Sequence, residues 1–246
     1  MNFAFYGQAD QHPLIRRLEG IADLSDEEKQ AILALPLTVK VFEADTDVVR
    51  EKDRPSDCCL IVNGFVCRYK LLPDGRRQIM GFYIPGDIPD LQSLHLHVMD
   101  NSIGTLVTAS VAMIPHESLR KMLRRHPRLA DILWRETLID GAMLREWMVG
   151  IGRRTAYQRV AHLLCELQVR LKMIGLGKED GYELPVTQNE LGDALGLSTV
   201  HVNRVLQDLR GHGLIVLRGG ALRIPDLKAL WQVAEFNPSY LHLKES

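Results

Sequence analysis

No stretch of this chain approaches the roughly 18 consecutive apolar residues that a membrane-spanning helix needs. The opening MNFAFYGQADQHPLIRRLEG has neither the basic start nor the apolar centre of a secretory leader. A cytoplasmic protein with no membrane partner is therefore expected. Cysteine is scarce: Cys58, Cys59, Cys67 and Cys165 show no CxxC spacing. They are expected to be reduced, mostly buried thiols rather than disulfide partners or metal ligands, with adjacent Cys58 and Cys59 on opposite faces of a strand. GxSxG, P-loop and HExxH patterns are missing, and Asp87, Asp90 and Asp100 suit turns better than acid–base chemistry. No enzyme is expected. A strong charge imbalance is missing too. The net charge is −1, with 18 Lys and Arg against 21 Asp and Glu in residues 1–150, and 12 against 10 in residues 151–246. A weak basic bias in the last third permits phosphate contacts without demonstrating them.

Against these absences, residues 187–209, TQNELGDALGLSTVHVNRVLQDL, are dense in local signals. Thr187 with Glu190 three residues on is a capping box for a short helix. Gly196 ends that helix, because only glycine takes the left-handed conformation without steric cost. Ser198 caps a second helix. Leu191, Ala194, Leu195, Leu197, Val202, Val205, Leu206 and Leu209 supply the apolar lock between the two, leaving Thr199, Val200, His201, Asn203 and Arg204 outward. This is the layout of a helix-turn-helix, whose second helix enters a DNA major groove N-terminus first. An ordinary αα-hairpin is the competing reading.

The rest of the chain falls into blocks. Residues 1–24 read as an arm, and Ser25 to Glu28 as a capping box opening a short helix that Pro36 stops. Residues 37–115 alternate in short runs broken by turn signals, including Asn63-Gly64 as a hairpin, Pro73-Asp74-Gly75 and Pro85-Gly86-Asp87. That pattern predicts a small antiparallel barrel with an interior cavity. A helical period follows from residue 117. The long helix after Pro127 is apolar on more than one face, and the face bearing Leu138, Met143, Leu144, Trp147 and Met148 calls for a partner, most simply a second copy of the chain, with packing on the C-terminal domain as the competing reading. Gly150, Gly152, Arg153 and Arg154 interrupt this helix as a hinge, and Thr155 to Gln158 caps the next, over residues 156–173. GLGKEDGY reads as a flexible loop. After the helix-turn-helix, GLIVLRGGALRIP gives a strand, a Gly219-Gly220 turn and a strand, the wing of a winged helix, with Arg218 and Arg223 within reach of phosphate. Asp226 caps a last helix, and residues 235–246 form a tail.

Residues 25–225 as a whole resemble the Crp/Fnr superfamily of bacterial transcription regulators. The resemblance rests on the IVNG turn at residues 61–64, the PGD turn at 85–87, the long helix, the glycine hinge and LGLSTVHVNRVL at 195–206. It implies an α+β chain with a cyclic-nucleotide-binding-like β-roll sensor over 25–118, a dimerisation helix over 119–150, a winged helix-turn-helix over 151–227, and a C-terminal helix and tail over 228–246. It further implies a homodimer on a near-palindromic double-stranded DNA operator, with recognition helices roughly 34 Å apart, and contact with RNA polymerase if the protein activates. DNA contacts are then expected from Thr187, Gln188, Ser198, Thr199, Val200, His201, Asn203, Arg204 and Arg218, with Arg204 on guanine and Asn203 on adenine.

Departures from the family are equally specific. Members that bind cyclic AMP hold its phosphate with a Gly-Glu and an Arg-Ser pair after the PGD turn. Here that stretch is DIPDLQSLHLHVMDNSIGTLV, with no Lys or Arg between Arg77 and Arg120. A buried anion without a nearby cation is costly, so cyclic AMP is not the expected ligand of the candidate effector pocket at Gly86, Asp87, Asp90 and Leu91. Clustered N-terminal cysteines for an iron–sulfur centre are missing. No cofactor is expected, haem on His95 or His97 being the alternative. The competing function is a haem- or small-molecule-sensing β-roll whose output is protein–protein contact rather than DNA binding.

Overall fold

A computed structural model describes residues 12–244. Part of the expected N-terminal arm, residues 1–11, lies outside the described residues. The described chain forms two compact units: residues 12–70, 82–141 and 243–244, and residues 71–81 and 142–242. The long helix α4 (Pro127–Arg153) is shared, its residues through Gly141 grouping with the first and those from Ala142 with the second.

Two antiparallel sheets form the sensor, all of it grouping with the first unit except residues 71–81. β1 (Thr38–Phe42), β7 (Ala109–Pro115) and β3 (Asp57–Asn63) make one, in the order β1-β7-β3. β2 (Asp47–Val49), β6 (Ser102–Thr105), β4 (Val66–Leu71) and β5 (Arg77–Tyr83) make the other, in the order β2-β6-β4-β5. Alternation along β3 feeds two cores: Cys58 and Leu60 join Leu14, Leu18, Ala112 and Leu129, while Cys59 and Ile61 join Val66, Ile103 and Val111. The adjacent cysteines therefore face opposite sides, and all four cysteines are buried thiols outside any disulfide. The Asn63-Gly64 turn departs from expectation. β3 pairs with β7 and β4 with β6, so the turn carries the chain from one sheet to the other and closes no two-stranded hairpin.

Residues 13–24 are not a loose arm. Pro13–Glu19 is a helix, α1, with proline in its first turn and Leu14, Ile15 and Leu18 buried. α2 (Asp26–Leu33) opens on the expected capping box, Ser25 accepting from the Glu28 N–H and the Glu28 carboxylate from the Ser25 N–H. α3 (His116–Arg125) leads into α4. The expected hinge is narrower than Gly150–Arg154, because α4 continues through Gly150 and Gly152 and ends only at Arg153. A glycine costs a helix about 1 kcal/mol against alanine, and other ties outweigh this. Arg154 pairs with Glu146, and Trp147 Nε1 donates to Glu166 Oε2 at 3.1 Å.

In the second unit, α5 (Ala156–Met173) starts on the Thr155–Gln158 capping box and is buried along most of its length. α6 (Gln188–Leu195) and α7 (Thr199–Gly211) pack on it and on each other. β9 (Val216–Arg218) and β10 (Ala221–Arg223) form the wing. The expected flexible loop after α5 instead ends in a strand, β8 (Gly181–Glu183), which pairs with β10 and makes the wing sheet β8-β10-β9. α8 (Leu227–Ala234) is capped by Asp226. The last segment is more than a tail: Pro238–Leu241 is a 3-10 turn, and Tyr240 donates its hydroxyl to Glu166 at 2.8 Å.

Candidate DNA interface

Each end of the helix-turn-helix is set by its local sequence. Thr187 Oγ1 accepts from the Glu190 N–H at 3.2 Å, and Glu190 Oε2 accepts from the Thr187 N–H at 2.6 Å. Gly196 takes φ 65° and donates its N–H to Gly192. Gly192 is required for a different reason: a Cβ there would lie 2.6 Å from the Leu197 carbonyl oxygen, so the turn can close on α6 only if this residue has no side chain. Ser198 Oγ then accepts from the His201 N–H at 3.2 Å.

Along α7 the buried residues are Val202, Val205, Leu206 and Leu209, spaced three and four apart. This leaves Thr199, Val200, His201 and Arg204 on the open face, with Val200 71% exposed. Arg204 forms no ion pair among the described residues, and the same holds for exposed Arg218 at the end of β9. A row with a methyl-bearing side chain, an amide and an unpaired guanidinium on the first two turns of an exposed helix suits the edges of base pairs. Arg223 is less available: it holds Asp180 Oδ2 at 2.8 and 3.0 Å. Asn203 is half-buried and donates from Nδ2 to Gln188 Oε1 at 3.0 Å, while Thr199 Oγ1 lies 3.4 Å from Asn189 Oδ1.

The face of α4 proposed for pairing divides in two. Leu138, Leu144 and Met148 are exposed, Met148 to 68%, and Trp134 and Ile151 extend the stripe. Met143 and Trp147 are each only 8% exposed, and the Trp147 indole is bonded to Glu166 within the chain. These two residues belong to the protein's own core and not to the open face. In the expected hinge, Gly150 is buried, Gly152 and Arg153 are exposed, and Arg154 is held by Glu146.

At the sensor turn, the residues expected to line an effector pocket are occupied internally. A Cβ on Gly86 would lie 2.6 Å from the Pro13 carbonyl oxygen, so α1 rests directly on the turn. Asp87 pairs with Arg17 of α1 at 3.1 Å, and the same guanidinium reaches Glu136 of α4 at 2.9 Å. Arg68 of β4 donates to the Pro89 carbonyl at 2.5 Å and to Asp140 at 2.7 Å, where Tyr83 also donates at 2.7 Å. Asp90 is fully buried. Its Oδ1 accepts from the Cys59 N–H at 2.8 Å, its Oδ2 has no hydrogen-bond partner among the described residues, and burial raises its pKa to about 6. Leu91 is partly buried on the first core. The chain carries no Lys or Arg between Arg77 and Arg120, but Arg17 and Arg68 enter from outside that window, both already engaged by carboxylates. His95 and His97 are exposed, Met99 is buried, and no group of three or more metal-ligating side chains gathers among the described residues.

Comparison with known proteins agrees with this geometry. Residues 39–126 match the family model of the cyclic nucleotide-binding domain, and residues 158–233 that of the Crp-like helix-turn-helix domain. The nitrogen fixation regulation protein FixK of Bradyrhizobium diazoefficiens is 30% identical over 186 residues, 75% of this chain and 77% of the relative. The transcriptional activator protein FnrL of Cereibacter sphaeroides is 28% identical, covering 79% of each chain. The solved structure of FixK2 from Bradyrhizobium japonicum superposes with a TM-score of 0.74 at 28% identity, over 81% of this chain and 98% of that one. No helix of the described residues is long and apolar enough to cross a membrane. The fold, the capped helix pair and these relatives agree: the chain belongs to the Crp/Fnr family and is a sequence-specific DNA-binding transcription regulator, not an enzyme.

Proposed function

We propose that this regulator works as a homodimer paired along the exposed stripe Trp134, Leu138, Leu144, Met148 and Ile151, and reads a near-palindromic operator with α7. The observation that carries the reading is the face of α7 bearing Val200, Asn203 and Arg204, three and four residues apart on a helix whose first turn is capped by Ser198. Arg204 grips a guanine through O6 and N7, Asn203 pairs with adenine N6 and N7, and Val200 meets a thymine methyl. Thr187, Gln188, Ser198, Thr199 and His201 border this row, and Arg218 on the wing takes a phosphate. Where the protein activates, RNA polymerase is the further partner.

No resident cofactor is part of this proposal, and the bound anion of cyclic-AMP-type members is not its effector. The carboxylates of Asp87, Glu136 and Asp140 already hold the cations that such a phosphate would need. The visible absorption of freshly purified protein is expected to show no Soret band, and calorimetry no micromolar cyclic-AMP binding.

The test of the DNA reading is selection of binding sites from random duplex DNA by the full-length protein. Two inverted half-sites whose centres lie about 10 base pairs apart are expected, with affinity falling steeply as salt rises. Recovery of no common sequence, or of single unpaired half-sites, would overturn it.

A further inference from the structure

We infer that Gln188 positions Asn203 for base reading, fixing which edge of the Asn203 amide faces the operator. The inference deepens the proposed reading of α7 and rests on it.

An asparagine amide turns easily about its last torsion, whose energy profile is broad and nearly two-fold. Its two orientations carry opposite messages to a base pair, since a donor stands in one where an acceptor stands in the other. An unsupported asparagine therefore discriminates poorly. Here Nδ2 of Asn203 donates to Oε1 of Gln188 at 3.0 Å. The bond uses one of the two N–H donors and leaves the second together with Oδ1. That donor–acceptor pair complements N7 and the 6-amino group of adenine.

Gln188 is itself well held. It is the first residue of α6, directly after Thr187 and enclosed by the Thr187–Glu190 capping box, so its backbone cannot fray without loss of two reciprocal hydrogen bonds. Both side chains of the pair are half-buried, whereas Thr199, Val200 and Arg204 are exposed. Fifteen residues of sequence separate the partners. The turn built on Gly192 and Gly196 brings them together, so the geometry of the turn and the orientation of the reading amide are one property. With its oxygen committed to Asn203, Gln188 keeps its own NH2 group for an acceptor such as a backbone phosphate.

The test uses the full-length protein on its selected operator and on operators changed at one base pair at a time. It compares the parent with Gln188→Met, Gln188→Glu, Asn203→Ala and the double variant Gln188→Met with Asn203→Ala. Asn203→Ala is expected to erase the preference at one base pair in each half-site. Gln188→Met should weaken the preference at that same pair by roughly tenfold, within the range of one bidentate contact, and leave the other pairs unchanged. The double variant should discriminate no worse than Asn203→Ala alone. Gln188→Glu keeps the acceptor, so it should retain the preference at that pair while binding all DNA more weakly.

Two results overturn the inference and leave the reading of α7 standing. In one, Asn203→Ala loses its base pair and Gln188→Met keeps it. In the other, Gln188→Met weakens binding to every sequence alike and lowers the salt slope by about one, the mark of a lost phosphate contact alone. If Asn203→Ala changes no base preference, the assignment of Asn203 fails and the inference fails with it.

Discussion

Arg17 and Arg204 each sit at the centre of a polar cluster, and they are held in opposite ways. Arg17 is 3% exposed and lies between two carboxylates, Asp87 and Glu136, that come from the sensor turn and from α4. Arg204 projects from the second turn of an exposed helix with no ion pair among the described residues. A buried ion pair loses hydration on both partners and is retained only with good geometry, so removing one member leaves a charge stranded. An exposed, unpaired guanidinium contributes little to folding and keeps its hydrogen-bonding capacity for a ligand. The comparison separates two uses of the same chemistry. At the sensor turn, charges are spent on structure; on α7, they are kept open.

The separation predicts which measurement each substitution moves. The largest effect is expected from Arg17→Met, which strands Asp87 and Glu136. Stability should fall by about 3–5 kcal/mol in urea unfolding, with base preferences unchanged in the fraction that remains folded. A variant of full stability with altered base preferences would erase the distinction between the two regions.

Next in size is Asp90, whose pKa is raised from 3.8 to about 6 because burial disfavours its charge. Between those values the folded state binds more protons than the unfolded chain. The contribution is therefore fully present below pH 4 and is lost as pH rises through 6, a swing of up to about 3 kcal/mol. Asp90→Asn keeps a carbonyl for the Cys59 N–H and should remove this slope. His162, in the second unit, tilts the other way. Its pKa is lowered by burial from 6.5 to about 4, so its contribution is present above pH 6.5 and is lost as pH falls towards 4. Unfolding followed from pH 4 to 8 in Asp90→Asn and His162→Leu should show these opposite changes, and identical profiles would refute the assignment.

Arg204→Ala should leave the unfolding midpoint within experimental scatter and cost about 1–3 kcal/mol of specific binding, with relaxed preference at one G·C pair. Equal affinity for the operator would remove Arg204 from the reading surface. The smallest effect is expected from Ser198→Ala. It removes one N-cap bond from α7 at a cost of about 1 kcal/mol and lowers affinity for all sequences equally, through fraying of the helix that presents Val200 and Asn203.

Legibility in the sequence followed the range of the interaction. The three capping boxes at Ser25, Thr155 and Thr187 lie within four residues of chain, and each helix begins on the next residue. The wing and the outward face of α7 were readable on the same grounds. Features that depend on tertiary contacts were not. Asn63-Gly64 has the composition of a hairpin turn, but β3 pairs with β7 and β4 with β6, at sequence separations from 33 (Tyr69 with Ser102) to 58 (Asp57 with Pro115), so it bridges two sheets. Gly150 and Gly152 read as a break, yet α4 runs on because Glu146 and Trp147 are fixed by Arg154 and Glu166. β8 has three residues, too few for a period. Met143 and Trp147 carry the same apolar signal as Leu138 and Met148, and only packing separates those turned inward from those left open. Arg17 and Glu136 are 119 residues apart, a pairing no local pattern announces. α1 did leave a trace, a proline followed by Leu14, Ile15 and Leu18, that a stricter count of spacing would have found.

The four buried thiols turn the protein into its own clock. Cys58, Cys59 and Cys67 lie in the first unit and Cys165 in the second, each with no exposed surface. An alkylating reagent can reach them only when the surrounding structure opens. The rate at which each cysteine gains mass in intact protein therefore records the opening of its own unit, without an added label. Cys58 and Cys59, neighbours in sequence on opposite faces of one strand, would further show whether the two cores of the sensor open together or in turn.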